Sequence, residues 1–498
     1  MTSLMNPPPG DEAVDRANYY YGYPATLLAR DGAAPGPRPL SLEGTPDGRL
    51  VMTKLLEGLR WATLGVFRLG WANPANPTVV TILVVVYPDA LDHDGASALV
   101  GRIRTVLQSS PRRERFRHVA IEIACGSSRP YLREASPSGT DNRNRLSWLD
   151  DHHLRLDFPN TGSGPAIGRS IGVPYTDSCG TLGFFIRFGP ASAPGAGDVA
   201  AVTCHHVVAP GMAAQIKYDQ NPRGPPIDSP SQVDFHMWRE KLVKDRSTAE
   251  ADHNLLIEGL TGLTAASQPA SINDKKVQDM LKSLMVCDRN VMSLNKKIRH
   301  VEQYSRDFGR VICSSGLATK GMYSPEWALI KPVWSRSPLA ENPNAWPTTG
   351  GDTIPIPDSM RLAYHGLSKL HKTSQLEQMV KAKAMTVYKL GRTTGVTSGQ
   401  LNELRVDCRV EYKGGIIVET STWVVLSQLT PFGFYGDSGS LVVDRRGIAV
   451  GMLVGGGQEG SVANPFFFTY VMPMDVILAD MEKTLFEDTG TYARVELL

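Results

Sequence analysis

Apolar residues change rhythm several times along this chain, and each rhythm predicts a different element. Leu50 to Leu59 has helical spacing, Ala62 to Trp71 alternates as a strand does, and Val79 to Tyr87 is a continuous apolar run rich in β-branched residues. Ala96 to Leu107 is amphipathic at helical spacing, and His118 to Ala124 alternates again. The order predicts a small α+β domain over 41–125, in which no chemical motif stands out. Residues 1–40 are rich in Pro, Gly and Ala with little to bury, so a flexible N-terminus is expected. A stretch crowded with Ser, Pro, Asn, Asp and Arg, 126–165, reads as a solvated linker.

Beyond the linker the pattern is one of short strands between glycines. Gly180 to Phe188, Val199 to Val208, Val311 to Leu317, Trp327 to Val333, Met385 to Gly391, Val410 to Leu426 and Ser440 to Val454 all fit, which points to an all-β barrel or sandwich over 166–485. The rhythm stops over 234–306. There Val277, Met280, Leu284, Cys287, Val291, Leu294, Ile298 and Val301 form an a/d stripe, with Ser271 and Asp274 as a capping box at its start. Phe235 to Leu260 is also helical in pattern, so the insert is expected to be a helical hairpin. Its stripe would either seal the hairpin onto the barrel or serve a dimerisation or docking arm. Residues 486–498 are left as a C-terminal tail.

Length and composition narrow the function. A chain of 498 residues is long enough for two or three domains, and its formal net charge of +2 calls for neither nucleic acid nor an anionic membrane as partner. Met1 to Arg16 has no apolar core of a secretory signal, so an intracellular location is expected. The longest apolar run is too short to span a bilayer. Six scattered cysteines (Cys125, Cys179, Cys204, Cys287, Cys313, Cys408) show no CxxC pair and no metal spacing, so reduced thiols, no metal and no cofactor are expected. Asp307-Phe308-Gly309 spells a kinase triplet without the segments that would accompany it, and reads as a turn.

The strongest chemical signal is Gly436-Asp437-Ser438-Gly439-Ser440, followed by the apolar Leu441-Val442-Val443. A serine hydroxyl attacks at neutral pH only if a base takes its proton and donors stabilise the resulting oxyanion. Flanking glycines let the backbone turn so that the N–H groups of Gly436 and Ser438 converge. The motif misses the Gly-x-Ser-x-Gly elbow, since position 440 is serine, and it is also an ordinary turn sequence. Upstream, Ala201-Val202-Thr203-Cys204-His205-His206-Val207-Val208 is a strand running into a histidine. That segment resembles the Thr-x-x-His-Val-Val element of HtrA-like proteases and the Thr-Ala-Ala-His-Cys element of trypsin-like ones, and the resemblance makes His206 the base and His205 its packed neighbour.

The resemblance to chymotrypsin/trypsin-like serine proteases covers roughly 165 to 485 outside the insert. It implies a mostly β, double β-barrel protease domain and a Ser-His-acid triad. The family's Asp-x-Ala-Leu-Leu strand is matched by Glu326-Trp327-Ala328-Leu329-Ile330, so the acid would be a glutamate, one methylene longer, and the backbone would have to retreat to fit it. Asp252, inside the helical insert, is the rejected competitor. The family likewise implies substrate contacts at Phe432, ahead of the serine, and at Val454, Gly455 and Gly456, where a Gly-rich edge would pair with an extended peptide; the alternative for these glycines is a hairpin loop. No acidic residue occupies Pro431 to Tyr435, which implies an uncharged specificity.

As a whole chain it resembles fungal trypsin-like peptidase-domain proteins with an α+β domain ahead of the protease domain. The expected function is serine endopeptidase, with polypeptide as substrate. The alternative is a protease fold that is silent or latent, acting as a peptide-binding or scaffold protein, with self-association or autoinhibition through the insert or the N-terminal domain.

Overall fold

The computed structural model describes residues 27–31, 54–69, 79–87, 89–110, 113–126, 128, 130, 167–190, 197–220, 223–265, 274–333, 369–382, 385–427, 431–459, 466–491 and 493–498. Most of 1–40 and of the linker lies outside them. Within 1–40, however, Leu27–Asp31 is a strand (β1), not flexible chain: it pairs antiparallel with β4, Ala120–Cys125. Between them come β2 (Trp61–Leu69), β3 (Val79–Val86), α1 (His93–Ser109) and α2 (Arg113–Phe116). Of the helix expected over 50–59, residues 50–53 lie outside the described residues, and 54–55 are helical before the chain turns towards β2. Asp92 starts α1 by accepting from the Gly95 N–H at 2.8 Å, and Ala96, Leu99, Val100, Ile103 and Leu107 form its buried face. Since β3 and β4 are parallel, α1 is the crossover that joins them.

The rest is mostly β. Strands β5 (Ser170–Ile171) and β6 (Gly180–Thr181) pair alone, while β7 (Phe184–Pro190), β8 (Asp198–Cys204), β9 (Pro226–Asp228), β10 (Asp307–Ser314) and β11 (Trp327–Pro332) enter one sheet. Its sixth member is the C-terminal β19 (Ala493–Leu497), so the tail is a strand on β7, with order β19-β7-β8-β11-β10-β9. A larger sheet holds β12 (Met385–Gly391), β13 (Gly395–Leu401), β14 (Val406–Tyr412), β15 (Ile416–Ser427), β16 (Leu441–Asp444), β17 (Ala449–Glu459) and β18 (Phe466–Pro473). Within it β15-β13-β12-β16-β17-β18 closes on itself, because β18 also pairs with β15. The N-terminal strands extend this same sheet through β2 on β14, Leu64 against Asp407.

Four helices complete the order: α3 (His205–Val208), α4 (Gln232–Thr264), α5 (Lys275–Glu302) and α6 (Thr373–Ala382), before α7 (Met474–Thr489). No helix among the described residues is long and apolar enough to cross a membrane. Helices α4 and α5 form the expected hairpin, with α4 spanning about 50 Å at 1.5 Å per residue. Asp274 itself caps α5, accepting from the Lys276 N–H at 2.8 Å; Ser271 lies outside the described residues. The stripe is buried only at its ends, at Val277, Ile298 and Val301. Leu242, Ile298 and Val301 with Phe235, Trp238, Val243 and Leu294 make a small core at the hairpin's base, and His253 meets Asp288 across the two helices at 2.9 Å.

Candidate active site

Strand β8 lies between β7 and β11 and delivers the chain into α3, a single turn whose side chains are all buried. Of the two histidines, His205 is fully engaged: Nδ1 with Ser314 Oγ at 2.9 Å and Nε2 with the Met212 carbonyl at 2.9 Å. Its neighbour His206 differs. Nδ1–H donates to Glu326 Oε1, while Nε2 is buried without a hydrogen-bond partner among the described residues.

Glu326 immediately precedes β11, where Trp327 pairs with Cys204, so strand register brings it beside the histidine turn. Its carbonyl accepts from the His205 N–H at 3.2 Å. The backbone of Glu326 is left-handed, φ +52°, a conformation that costs a non-glycine residue roughly 1–3 kcal/mol and persists only where its surroundings over-determine it. This is how a side chain one methylene longer than aspartate meets the same ring. Tyr412, at the end of β14, donates its O–H to Glu326 Oε2 at 2.6 Å, and its ring lies 5.8 Å from that of His206. Burial pushes the tyrosine's pKa well up, so it acts as a donor.

Burial first, and the adjacent His205 second, push the His206 pKa down from its ordinary value. The ring is therefore neutral at neutral pH, its Nδ1 proton held by the carboxylate and its Nε2 lone pair free. Cys204 Sγ, His206 and Glu326 place ligand atoms within 4.8 Å of one another. The carboxylate is already shared by His206 and Tyr412, and burial raises the Cys204 pKa far enough to keep it a thiol, donating to the Leu453 carbonyl at 3.4 Å. That donor set suits a hydrogen-bond relay better than a cation.

The serine turn is built from within. Gly436 and Gly439 have φ +99° and +98°, which any Cβ would strain. Asp437 points inward and accepts from the N–H groups of Thr393 (2.7 Å), Thr394 (3.3 Å) and Phe434 (2.9 Å), from Thr394 Oγ1 (2.7 Å) and from Lys389 Nζ (3.1 Å). Lys389 and Asp437 are both wholly buried. Burial lowers the Lys389 pKa and contact with Asp437 opposes that shift. The outer side of the turn is held by Thr181, whose N–H donates to the Ser438 carbonyl at 2.8 Å and whose hydroxyl donates to the Gly436 carbonyl at 2.9 Å. No hydrogen bond to another described residue engages the N–H of Gly436 or Ser438.

The two halves touch. A Cβ on Gly180 would meet Val207 Cγ2 at 2.4 Å and the Ser438 carbonyl at 3.1 Å, and one on Gly439 would meet Thr203 Oγ1 at 2.4 Å. The serine turn thus packs on the residues flanking His206. Ser438 Oγ donates to the Val454 carbonyl at 3.4 Å, a long bond. There β17 changes partners: Leu453 still bonds Gly439 and Ser440, pairing with β16 ends at Met452, and β18 runs on to Glu459. Gly455 and Gly456 are therefore strand residues paired to Tyr470 and Thr469, not a hairpin loop.

Two further residues were weighed from the sequence, Phe432 as an expected substrate contact and Asp252 as the rejected alternative to Glu326. Phe432, expected at the substrate pocket, lies in the loop ahead of the serine turn with its ring fully buried among Trp423, Val425, Val442 and Leu453, where an aromatic ring gains apolar contact. Asp252 is exposed within α4. Tyr412 and Lys389 were missed, though both carry a signal: in Val406–Tyr412 and Met385–Gly391 alternation puts them on the inward face, where a hydroxyl or ammonium requires a partner.

No curated protein matches the chain. Residues 165–484 match peptidase family S64, a family of serine peptidases. Because that match covers well over half the sequence, with both the histidine and the serine segments inside it, the chain belongs to peptidase family S64.

Proposed function

We propose that the chain is a serine endopeptidase of the trypsin-like, double-barrel kind, with Ser438 as nucleophile, His206 as general base and Glu326 as the acid that orients it. In this reading the closed ring β15-β13-β12-β16-β17-β18 is one barrel and the sheet containing β8 and β11 forms the other. One observation carries the proposal: a histidine bonded to a buried carboxylate, its Nε2 without a hydrogen-bond partner among the described residues, is flanked by Thr203 and Val207, on which the glycine-built serine turn packs.

His206 takes the Ser438 proton at Nε2 as Oγ attacks a peptide carbonyl, and Glu326 stabilises the imidazolium. The N–H groups of Gly436 and Ser438 receive the oxyanion. The imidazolium then protonates the leaving amine, and a water, deprotonated by the same ring, releases the acyl group. The long bond from Ser438 to Val454 is the kind that gives way to substrate, since catalytic hydrogen bonds are often loose in a free enzyme. Extended substrate would pair with β17 from Val454 onward, where β16 no longer accompanies it. With no acidic side chain in Pro431 to Tyr435 and Asp437 fully occupied, an uncharged residue is expected before the cleaved bond.

A latent form of the same enzyme is the second reading, favoured by the burial of Ser438 (0% exposed) and His206 (2%). A fluorophosphonate distinguishes the cases. Labelling of the full chain that disappears in Ser438→Ala supports the active enzyme, and labelling only after removal of 1–165 supports latency. No labelling in either form would sink the proposal and leave a peptide-binding scaffold.

A further inference from the structure

We infer that Arg392 is a positioning residue for the serine turn, and that Asp234, at the root of the helical hairpin, sets where its guanidinium lies. The inference rests on Ser438 being the nucleophile and adds to that reading a link between the turn and the hairpin.

Gly436 opens the turn, and its missing side chain leaves a face that other groups fill. A Cβ there would lie 2.5 Å from Thr393 Oγ1 and 2.6 Å from Arg392 Nη1, so the guanidinium is packed on the backbone of the turn. Arg392 Nη1 donates to Thr393 Oγ1 at 2.9 Å, and that hydroxyl donates to the Tyr435 carbonyl at 2.6 Å. The Arg392 N–H donates to Thr181 Oγ1 at 3.0 Å, the hydroxyl that in turn donates to the Gly436 carbonyl. Of the two carbonyls flanking the Gly436 N–H, a proposed oxyanion donor, that of Tyr435 is held through the Arg392 guanidinium and that of Gly436 through the Arg392 backbone.

The far side of the guanidinium belongs to the hairpin. Arg392 Nε donates to Asp234 Oδ2 at 2.6 Å, and Nη2 contacts Asp234 Oδ1, a two-pronged pair with both side chains below 10% exposure. Asp234 lies in the first turn of α4, where the helix dipole also favours a carboxylate. Ser231 caps that turn and is tied to Ser170 at 2.8 Å, so the root is seated on the protease body. Beyond the root the described residues of the two helices pack on each other, His253 meeting Asp288 at 2.9 Å. A shift of the hairpin's seat is thereby delivered to Gly436, where misplacement of a donor by about 1 Å can cost on the order of 100-fold in rate.

The test is the rate of fluorophosphonate labelling of the full chain against pH, for wild type, Asp234→Asn, Arg392→Lys, Arg392→Gln and the Asp234→Asn/Arg392→Gln double variant, with thermal melting alongside. Each single variant that breaks the pair is expected to lower the plateau rate about 10- to 100-fold without moving the pH midpoint, which reports His206. The double variant is expected to be no slower than the slower single one, and Arg392→Lys, which keeps the charge but not the fork, to fall between. A wild-type plateau in Asp234→Asn with only a lower melting temperature would make the pair purely structural and overturn the inference. Multiplying losses in the double variant would do the same. Should Asp234→Asn fail to fold, the double variant, which leaves no unpaired buried charge, decides: a wild-type plateau there overturns the coupling. Absence of labelling in wild type, or its persistence in Ser438→Ala, removes the underlying reading as well.

Discussion

At the serine turn polar groups have been driven inside, whereas along the helical hairpin apolar ones have been left outside. Lys389, Asp437 and Ser438 have no exposed surface and Glu326 has 1%, while Leu255, Met285, Val286 and Met292 are each more than half exposed. The first inversion is expensive: a buried charge is tolerated only with a partner and a full set of hydrogen bonds, and Asp437 has both. Single exposed apolar side chains cost little. Hydrogen bonding is therefore concentrated at the serine turn, and among the described residues the hairpin is anchored at its base.

That contrast can be broken at its hydrogen-bonded end first. Glu326→Gln keeps the shape but lets the amide hold His206 in the wrong tautomer, so kcat should drop about ten-thousand-fold. Retention of a tenth of the wild-type rate would remove Glu326 from the relay. In the wild type the depressed His206 pKa keeps the base neutral as the medium is acidified, so activity should persist as pH falls through the ordinary imidazole value of about 6.5. The sign for stability is opposite. Below that pH the unfolded chain takes a proton that the folded one refuses, so this group makes the fold less stable as pH falls.

Lys389→Met strips Asp437 of its cation, and denaturant unfolding should show a loss of about 3–5 kcal/mol, only partly recovered in Lys389→Met/Asp437→Asn, because the asparagine NH2 must face a backbone N–H that the carboxylate accepted. If the single variant were as stable as wild type, the turn would not depend on that pair. Tyr412→Phe removes a hydrogen bond to a charged group, worth about 1.5–3 kcal/mol, and should appear as a roughly tenfold or greater loss in kcat with KM little changed. An effect on KM alone would place Tyr412 in substrate binding instead. Smallest of all, Leu255→Gln and Met292→Gln on the hairpin should each shift stability by no more than about 0.5 kcal/mol. A larger loss would mean that the arm is covered in solution, and sedimentation would then show a larger species.

Much of this was legible in the chain itself. Alternation located β12 to the residue, and the a/d stripe located α5. Strands β1 and β19 escaped because short edge strands carry little pattern of their own and are defined by the partner they find, β4 and β7. The serine and histidine segments stood out because each is a run of several consecutive residues, and both lie inside the stretch that matches the peptidase family. Tyr412 and Lys389 were not assigned, since each acts alone from a strand whose neighbours say nothing of its partner.

Local order thus determined which segments turn, extend or coil, and which short runs carry a hydroxyl and an imidazole, because those properties depend on residues a few positions apart. Only the tertiary structure decided that Glu326 would reach its histidine through a left-handed backbone, that Tyr412 would come from a different sheet to hold it, and that Arg392 would join Asp234 across the base of the hairpin. Those contacts join residues tens to hundreds of positions apart, and they exist only where sheet pairing and core packing have already closed the intervening chain.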